Sequence, residues 1–143
     1  MTEYTEKTWP SSRWPNFSFG EMACKHSGLC KIDGDFMDKL QDLRTKVGFS
    51  LTISSGYRDV THPIEKEKID AGKNPKGGSH ARGKACDLKV RGWEAYAVLK
   101  AAMELGFTGV GISQTGKKGR FIHLDNIGEA DDYPVPRPAL WSY

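Results

Sequence analysis

The amino-acid sequence predicts an α+β domain with a small, mostly antiparallel sheet packed by helices. Two long segments, residues 33–48 and 92–105, carry apolar residues at helical spacing, and short segments between and after them alternate apolar and polar residues as strands do. The elements follow one another in the order helix, strand, helix, strand, helix, strand, strand. This mixture favours an α+β architecture.

Residues 33–48 predict the first helix, and residues 49–54 predict the first strand. The apolar side chains of the helix recur every three or four positions, and Gly48 stands where a helix-ending glycine is common. The next segment alternates apolar residues with serine and threonine, which is typical of a half-buried strand. The apolar residues of the two segments are Phe36, Leu40, Leu43 and Val47, then Phe49, Leu51 and Ile53.

A short helix and a second long helix follow. Pro63 is suited to open a helix that runs to about Ala71, with Gly72 closing it. Residues 92–105 predict the long helix, and Gly106 ends it. The apolar residues of this long helix are Trp93, Tyr96, Ala97, Leu99 and Met103.

Three further strands are predicted at residues 84–90, 107–113 and 120–125, the second of them rich in glycine and followed by a turn at 115–119. Alternation gives each strand two faces. In the first strand one face carries Cys86, Leu88 and Val90, and the other carries Ala85, Asp87 and Lys89. In the last strand Phe121, His123 and Asp125 share a face.

The two ends of the chain are predicted to be less regular. Residues 1–20 are rich in proline and aromatic residues with little periodicity, so we expect an extended arm that wraps the surface. Residues 128–143 form a proline-rich tail that we expect to pack across the body through Leu140 and Trp141. Residues 1–143 are treated as one domain.

The composition indicates a folded chain, because 38% of residues are hydrophobic and 10% aromatic. No apolar stretch approaches the ~18 residues that a membrane-crossing helix needs. The formal net charge of +3 is too small to indicate nucleic-acid binding. We therefore expect a monomer without membrane insertion or a nucleic-acid partner. The first residues lack the pattern of a secretory signal, which predicts synthesis in the cytoplasm.

Two histidines and one aspartate form the most informative pattern. His80 follows a Gly-Gly-Ser loop, Asp87 lies seven residues later within a strand, and His123 lies in another strand. Such a set from adjacent strands can supply three zinc ligands and leave a fourth position for water. The alternative is that both histidines are ordinary loop and core residues and that Asp87 pairs with a lysine.

Three motifs together resemble a known family. They are SGYRD at residues 55–59, GGSHARGKACDL at 77–88 and RFIHLD at 120–125. This set resembles the zinc D-alanyl-D-alanine carboxypeptidase and L-alanyl-D-glutamate endopeptidase family, within the superfamily of lysostaphin-type enzymes and the hedgehog domain. The spacing is similar to that of small phage-type members, and the resemblance covers residues 17–143. It implies a hedgehog/DD-peptidase-like fold.

The resemblance implies roles for individual residues. His80, Asp87 and His123 match the three ligands of one catalytic Zn²⁺, which would activate water and polarise the scissile amide. Arg58 matches the arginine that lies near the metal, where it could hold a substrate carboxylate or the developing oxyanion. The alternative for Arg58 is an ion pair that ties its loop to the body, for example with Asp59. Tyr57 could line the pocket or belong to the core.

The general base is harder to identify from the sequence than the metal ligands, because residues 119–122 contain no acid before the last histidine. Asp125 could act as the base, or it could orient a zinc ligand through a hydrogen bond. His62 is a second candidate, and its alternative is to cap the helix that follows. Glu65 and Glu67 are interpreted as a solvated helix face.

The three cysteines are an odd number, which argues against a disulfide framework. Cys24, His26 and Cys30 could contribute ligands to a second, structural zinc, although no fourth ligand is evident. The alternative is a compact turn with buried thiols, or a disulfide formed later in an oxidising space. Cys86 lies on the apolar face of its strand and is interpreted as a core residue.

The resemblance implies a zinc metallopeptidase that hydrolyses amide bonds in peptidoglycan stem peptides, as an endolysin-like endopeptidase. The alternatives are a D-Ala-D-Ala carboxypeptidase and a zinc-containing wall-binding module without turnover. We expect the protein to reach the cell wall after release, as a phage lysis or virion protein. Basic residues, Lys117 and Lys118 among them, would attract an anionic wall.

Overall fold

The computed structural model describes residues 1–116 and 119–143, so Lys117, Lys118 and the turn predicted around them lie outside the described residues. Within these ranges the helices are α1 (Phe19–Met22), α2 (Gly34–Val47), α3 (Pro63–Asp70) and α4 (Gly92–Leu105). The strands are β1 (Thr2–Tyr4), β2 (Cys30–Ile32), β3 (Thr52–Ser55), β4 (Ala85–Lys89), β5 (Gly109–Ser113), β6 (Phe121–Asp125) and β7 (Ala139–Ser142). The predicted α+β class is confirmed.

The main sheet has five strands in the order β3-β4-β6-β5-β7. Its pairings are antiparallel except for β5 with β7, which run parallel. A separate two-stranded sheet joins β1 to β2. The sheet is therefore mostly antiparallel, as the sequence predicts. Among the described residues, no helix combines the length and hydropathy that a membrane crossing requires.

Helix α2 begins and ends where its sequence indicates. The side chain of Asp33 accepts a hydrogen bond from the backbone N–H of Phe36 at 2.9 Å, which satisfies one of the free donors of the first turn. Gly48 ends the helix with φ of +76°, a conformation that residues with a Cβ rarely adopt. The same left-handed ending closes α4 at Gly106.

Alternation along the central strands separates an apolar face from a polar one. The apolar face of β4 and β6 joins one core with α2 and α4. Its strand residues are Cys86, Leu88, Ile122 and Leu124. The opposite face carries Asp87 and His123, which the antiparallel register sets directly opposite each other. Burial of the apolar face thus determines where the polar residues lie.

The buried face of α4 differs from its most apolar positions. Trp93, Tyr96 and Met103 are largely exposed, and the ring of Trp93 meets Phe49 edge-on at 5.4 Å. The buried residues of α4 are Ala95, Val98, Ala101 and Ala102. These small side chains let the helix lie close to its neighbours, whereas the large aromatic residues would hold it away.

The two ends contribute more structure than the sequence suggests. Residues 1–20 include β1 and place Trp9, Trp14 and Phe17 in the core. The indole N–H of Trp14 donates to Asp38 at 2.9 Å, which satisfies its polar atom inside the fold. At the other end, β7 extends the sheet through Trp141, whereas Leu140 is 60% exposed.

Two glycines in β5 make room on the polar face of the sheet. A Cβ on Gly111 would meet Nε1 of Trp141 at 2.5 Å, and a Cβ on Gly109 would overlap the carboxylate of Asp125. Gly111 pairs with His123 on one side and with Trp141 on the other. The glycine-rich pattern of this strand therefore reflects the space that the neighbouring side chains occupy.

We expect Gly111→Ala to lower the free energy of unfolding by about 1–3 kcal/mol, because the added methyl group forces Trp141 and β7 aside. Gly20→Ala is the matched control, since a Cβ at Gly20 meets nothing within 4 Å. Urea denaturation followed by tryptophan fluorescence measures both variants. Equal stability of the two variants would contradict the packing account of Gly111.

Candidate metal centre

The fold brings together the three residues that the motif spacing singles out. His80 lies in the loop before β4, Asp87 lies in β4, and His123 lies in β6. One ligand atom from each residue lies within 4.8 Å of the others, and all three side chains are buried. Among residues 1–116 and 119–143, no other group of three or more histidine, cysteine or acidic side chains comes together in a way that could hold a metal ion.

The ring of His80 is oriented by a backbone carbonyl. Its Nδ1 lies 2.8 Å from the carbonyl oxygen of Gly56, which can only accept a hydrogen bond. Nδ1 therefore carries the proton, and Nε2 is left as the free nitrogen. This Nε2 lies 3.4 Å from Oδ1 of Asp87. Burial lowers the pKa of His80, which favours the neutral ring that binds metals.

The ring of His123 is oriented in the complementary way. Its Nε2 lies 2.8 Å from Oδ2 of Asp125, and its Nδ1 lies 3.0 Å from Oδ1 of Asp87. Burial disfavours the charged ring, but the hydrogen bonds to the two carboxylates outweigh burial and raise the pKa of His123. The two carboxylates thus fix the ring with Nδ1 directed toward the shared oxygen of Asp87 and Nε2 toward Asp125.

The donor set fits a divalent metal such as zinc. Two imidazole nitrogens converge on one carboxylate oxygen, and their other nitrogens are held by Gly56 and Asp125, as is usual for metal-binding histidines. Although burial alone would raise it, the neighbouring His80 and His123 hold the pKa of Asp87 well below its usual range. Asp87 is therefore a carboxylate, as a metal ligand must be.

Asp125 is enclosed by an ion pair and does not face solvent. Arg137 donates from Nε to Oδ1 at 3.0 Å and from its terminal nitrogen to Oδ2 at 2.8 Å. Burial would raise the pKa of Asp125, but His123 and Arg137 together lower it to about 2. The ring of Trp141 packs against both His123 and Arg137. It lies 5.2 Å from the ring of His123 and 5.0 Å from the guanidinium carbon of Arg137.

Arg58 reaches the metal centre from the loop after β3. Its Nε donates to Ser55 Oγ at 3.0 Å, and one terminal nitrogen lies 3.3 Å from Oδ2 of Asp87. The other terminal nitrogen lies 3.6 Å from Oε1 of Glu65. Asp59, the ion-pair partner that the sequence suggests, instead accepts hydrogen bonds from Thr61.

Glu65 was expected on a solvated helix face, and this expectation is wrong. Its side chain is fully buried, whereas Glu67 on the same helix is exposed. The burial of Glu65 follows from the loop that packs over α3, where the backbone N–H of Gly78 donates to Oε2 at 2.6 Å. Helical periodicity within α3 gives no sign of this long-range contact.

Two further sequence candidates have defined places. Tyr57 is 4% exposed, and burial raises its pKa to about 12, which places the ring in the core. His62 precedes α3, where its Nδ1 accepts from the backbone N–H of Ile64 at 3.2 Å. His62 therefore caps α3, as the alternative interpretation of this residue predicts. Burial and the charge of Arg58 lower the pKa of His62.

The arrangement of Cys24, His26 and Cys30 does not form a metal-binding group among the described residues. Both cysteines are buried free thiols, and Cys24 Sγ accepts from the backbone N–H of Asp59 at 3.3 Å. The exposed ring of His26 packs against His62 at 5.9 Å. Cys86 is fully buried in the core, as its place in the strand predicts.

The sequence analysis missed Tyr143 as a neighbour of the site. Its ring packs against Phe121 at 5.1 Å, in the row of side chains next to His123. Burial and the negative charges of Asp87 and Asp125 raise the pKa of Tyr143. The signal in the sequence is its spacing, two residues after Trp141 and directly after the end of β7.

A His, Asp, His group on an antiparallel sheet, with one carboxylate oxygen facing two ring nitrogens, fits the class of sites that hold a single metal ion through three protein ligands. The family model for peptidase M15 matches residues 15–125, which include all three ligand candidates, Arg58 and Asp125. The chain belongs to the peptidase M15 family, whose members are zinc metallopeptidases. A comparison with curated proteins gives no match, and a comparison with solved structures gives none either.

We expect Asp87→Ala to abolish stoichiometric zinc binding, because it removes the oxygen toward which both imidazole nitrogens point. His80→Ala and His123→Ala should do the same. The wild-type protein should retain about one zinc ion per chain after dialysis, measured by mass spectrometry of the metal. His26→Ala is the control and should retain its zinc, so equal zinc loss from this variant would contradict the assignment.

Proposed function

We propose that this protein is a zinc peptidase that hydrolyses amide bonds in the stem peptides of peptidoglycan. The observation that carries the proposal is the convergence of His80, Asp87 and His123 on one point, in a chain of the peptidase M15 family. Three protein ligands leave a fourth position open, which distinguishes a catalytic zinc site from a structural one.

In this proposal His80 Nε2, Asp87 Oδ1 and His123 Nδ1 would hold the zinc ion. When bound, zinc supplies a lowered pKa for a water molecule and polarisation of the scissile carbonyl group. The other residues hold these ligands, place the substrate and move protons. The sheet supports this division, since Asp87 and His123 lie on paired strands.

Asp125 is assigned to positioning and not to proton transfer. Its carboxylate is fully buried, and both oxygens are engaged by Arg137, with Oδ2 also bound to His123. An oxygen with these partners cannot also approach a substrate. A carboxylate in this place fixes the tautomer and direction of a metal-binding imidazole and increases its basicity.

The surroundings of Arg58 favour an endopeptidase over a carboxypeptidase. A carboxypeptidase would use a free cation to capture the terminal carboxylate of its substrate. The guanidinium of Arg58 is already engaged by Ser55, Asp87 and Glu65. These contacts support a role of Arg58 in holding Asp87.

His62 is proposed to donate to the leaving amine. The neutral ring, whose Nδ1 accepts from the backbone N–H of Ile64, has no proton acidic enough to give. The donor would therefore be the imidazolium form of His62, which becomes neutral as it gives a proton to the leaving amine. The His62 ring is partly exposed, and partial burial, followed by the positive charges of Arg58 and His26, lowers its pKa, which makes its charged form a readier proton donor.

We expect His62→Asn to lower kcat by about 100-fold or more, the usual size of an acid–base contribution, while zinc content is unchanged. Asparagine keeps the helix cap, so the fold is preserved. His26→Asn, which alters the neighbouring ring, is the matched control. A wild-type rate in His62→Asn would reduce the role of His62 to capping α3.

The biological setting that fits best is an endolysin-like or virion-associated enzyme that reaches the wall after release from the cytoplasm. A wall-binding module without turnover is the competing function. Because no acid precedes His123 in residues 119–122, this alternative remains testable.

Digestion of purified peptidoglycan, with mass spectrometry of the new termini, tests the proposed activity. We expect new amino and carboxyl termini within stem peptides, loss of activity with a chelator and recovery with added zinc. Asp87→Ala is the inactive control. Binding of peptidoglycan by a zinc-loaded protein without new termini would favour the binding module and contradict the peptidase.

A further inference from the structure

The side chain of Glu65 is a buried carboxylate to which the proposed mechanism gives no role. It is fully buried on α3, close to the metal centre but not in the ligand set. A charged group in such a place is costly unless it is paired and hydrogen-bonded. The partners of Glu65 therefore indicate why a carboxylate is present there.

Each oxygen of Glu65 contacts a residue that is linked to a different metal-ligand candidate. Oε2 accepts from the backbone N–H of Gly78 at 2.6 Å, two residues before His80. Oε1 lies 3.6 Å from Arg58, whose other terminal nitrogen lies 3.3 Å from Oδ2 of Asp87. Lys68, which is partly exposed, also lies 3.5 Å from Oε1.

The loop approaches Glu65 closely at a glycine. A Cβ on Gly78 would lie 2.8 Å from Nζ of Lys68 and 3.2 Å from Oε2 of Glu65. The absence of a side chain at Gly78 thus permits the short hydrogen bond. The loop that carries His80 is held against α3 at this point.

We propose that Glu65 is a positioning residue that anchors two metal ligands at once, His80 through Gly78 and Asp87 through Arg58. The inference rests on the proposed function in one respect, since it takes His80 and Asp87 as zinc ligands. Through both routes, one buried carboxylate sets the separation of two ligand atoms that come from different segments of the chain.

The charges support the same role. Arg58 holds Asp87 in place, but its positive charge also opposes a cation at the site. Glu65 balances that charge, so the four neighbouring side chains of Glu65, Asp87, Arg58 and Lys68 sum formally to zero. Without Glu65 the formal sum is +1, and the site attracts a divalent cation less.

Glu65→Gln tests the charge while it keeps an oxygen for the N–H of Gly78. We expect its zinc dissociation constant, measured by competition with a chromogenic chelator, to rise about tenfold or more. The visible spectrum of the Co²⁺-loaded protein should also change, because the direction of Asp87 changes. Glu67→Gln, an exposed change on the same helix, should keep the wild-type dissociation constant and spectrum.

Val98→Ala separates positioning from a general loss of stability. Val98 is fully buried in α4, and its truncation destabilises the core without a contact to the ligands. It should lower the Tm of the metal-free protein but leave the Co²⁺ spectrum unchanged. If Glu65→Gln does not fold, Glu65→Asp takes its place. Its shorter carboxylate cannot meet both Gly78 and Arg58, so weaker zinc binding is again expected.

Wild-type zinc affinity and a wild-type Co²⁺ spectrum in Glu65→Gln, or in Glu65→Asp where the first variant does not fold, would overturn the anchoring role. That result would leave the proposed function intact, provided that Asp87→Ala still loses its zinc. Zinc binding by Asp87→Ala equal to that of the wild type would instead remove the ligand assignment, and with it the basis of both proposals.

Discussion

The antiparallel register between β4 and β6 is the constraint on which the site depends. It places Asp87 directly opposite His123, and it places Cys86 opposite Leu124 on the face that joins the helices. A shift of one residue in either strand would turn its polar residue into the core and expose its apolar neighbours. The free energy gained by burying the apolar face therefore also fixes the distance between two ligand candidates.

Charge around the site is arranged as two carboxylate–arginine pairs, whose carboxylates meet the two nitrogens of the His123 ring. Arg58 faces Asp87, and Arg137 faces Asp125. Buried carboxylates remain charged only where cations and hydrogen bonds compensate for lost hydration. In each pair one carboxylate oxygen also faces a nitrogen of His123, namely Oδ1 of Asp87 and Oδ2 of Asp125. The two arginines thus fix the directions in which the carboxylates act.

Local patterns in the sequence were sufficient for the elements that depend on nearby residues. The boundaries of α2 follow from Asp33 and Gly48, and strand alternation places Asp87 and His123 away from the core. The ligand candidates could be named because the motif spacing resembles that of a known family. These features need no knowledge of how distant segments pack.

Features that depend on distant contacts could not be predicted. The burial of Glu65 requires the loop at Gly78, and the pairing of Arg58 requires both α3 and β4. The exposure of Trp93 arises because small residues of α4 take the closely packed face. In each case the deciding neighbour lies elsewhere in the sequence, so composition and periodicity within the segment carry no information about it.

The parallel pairing of β7 with β5 can form only late in synthesis, because β7 lies at the end of the chain. A ribosome adds His80, Asp87 and His123 before it adds Arg137 and Trp141. Until the later segment emerges and joins the edge of the sheet, Asp125 has no guanidinium beside it. The nascent chain therefore passes through a stage in which all three ligand candidates exist, but the support behind His123 is still missing.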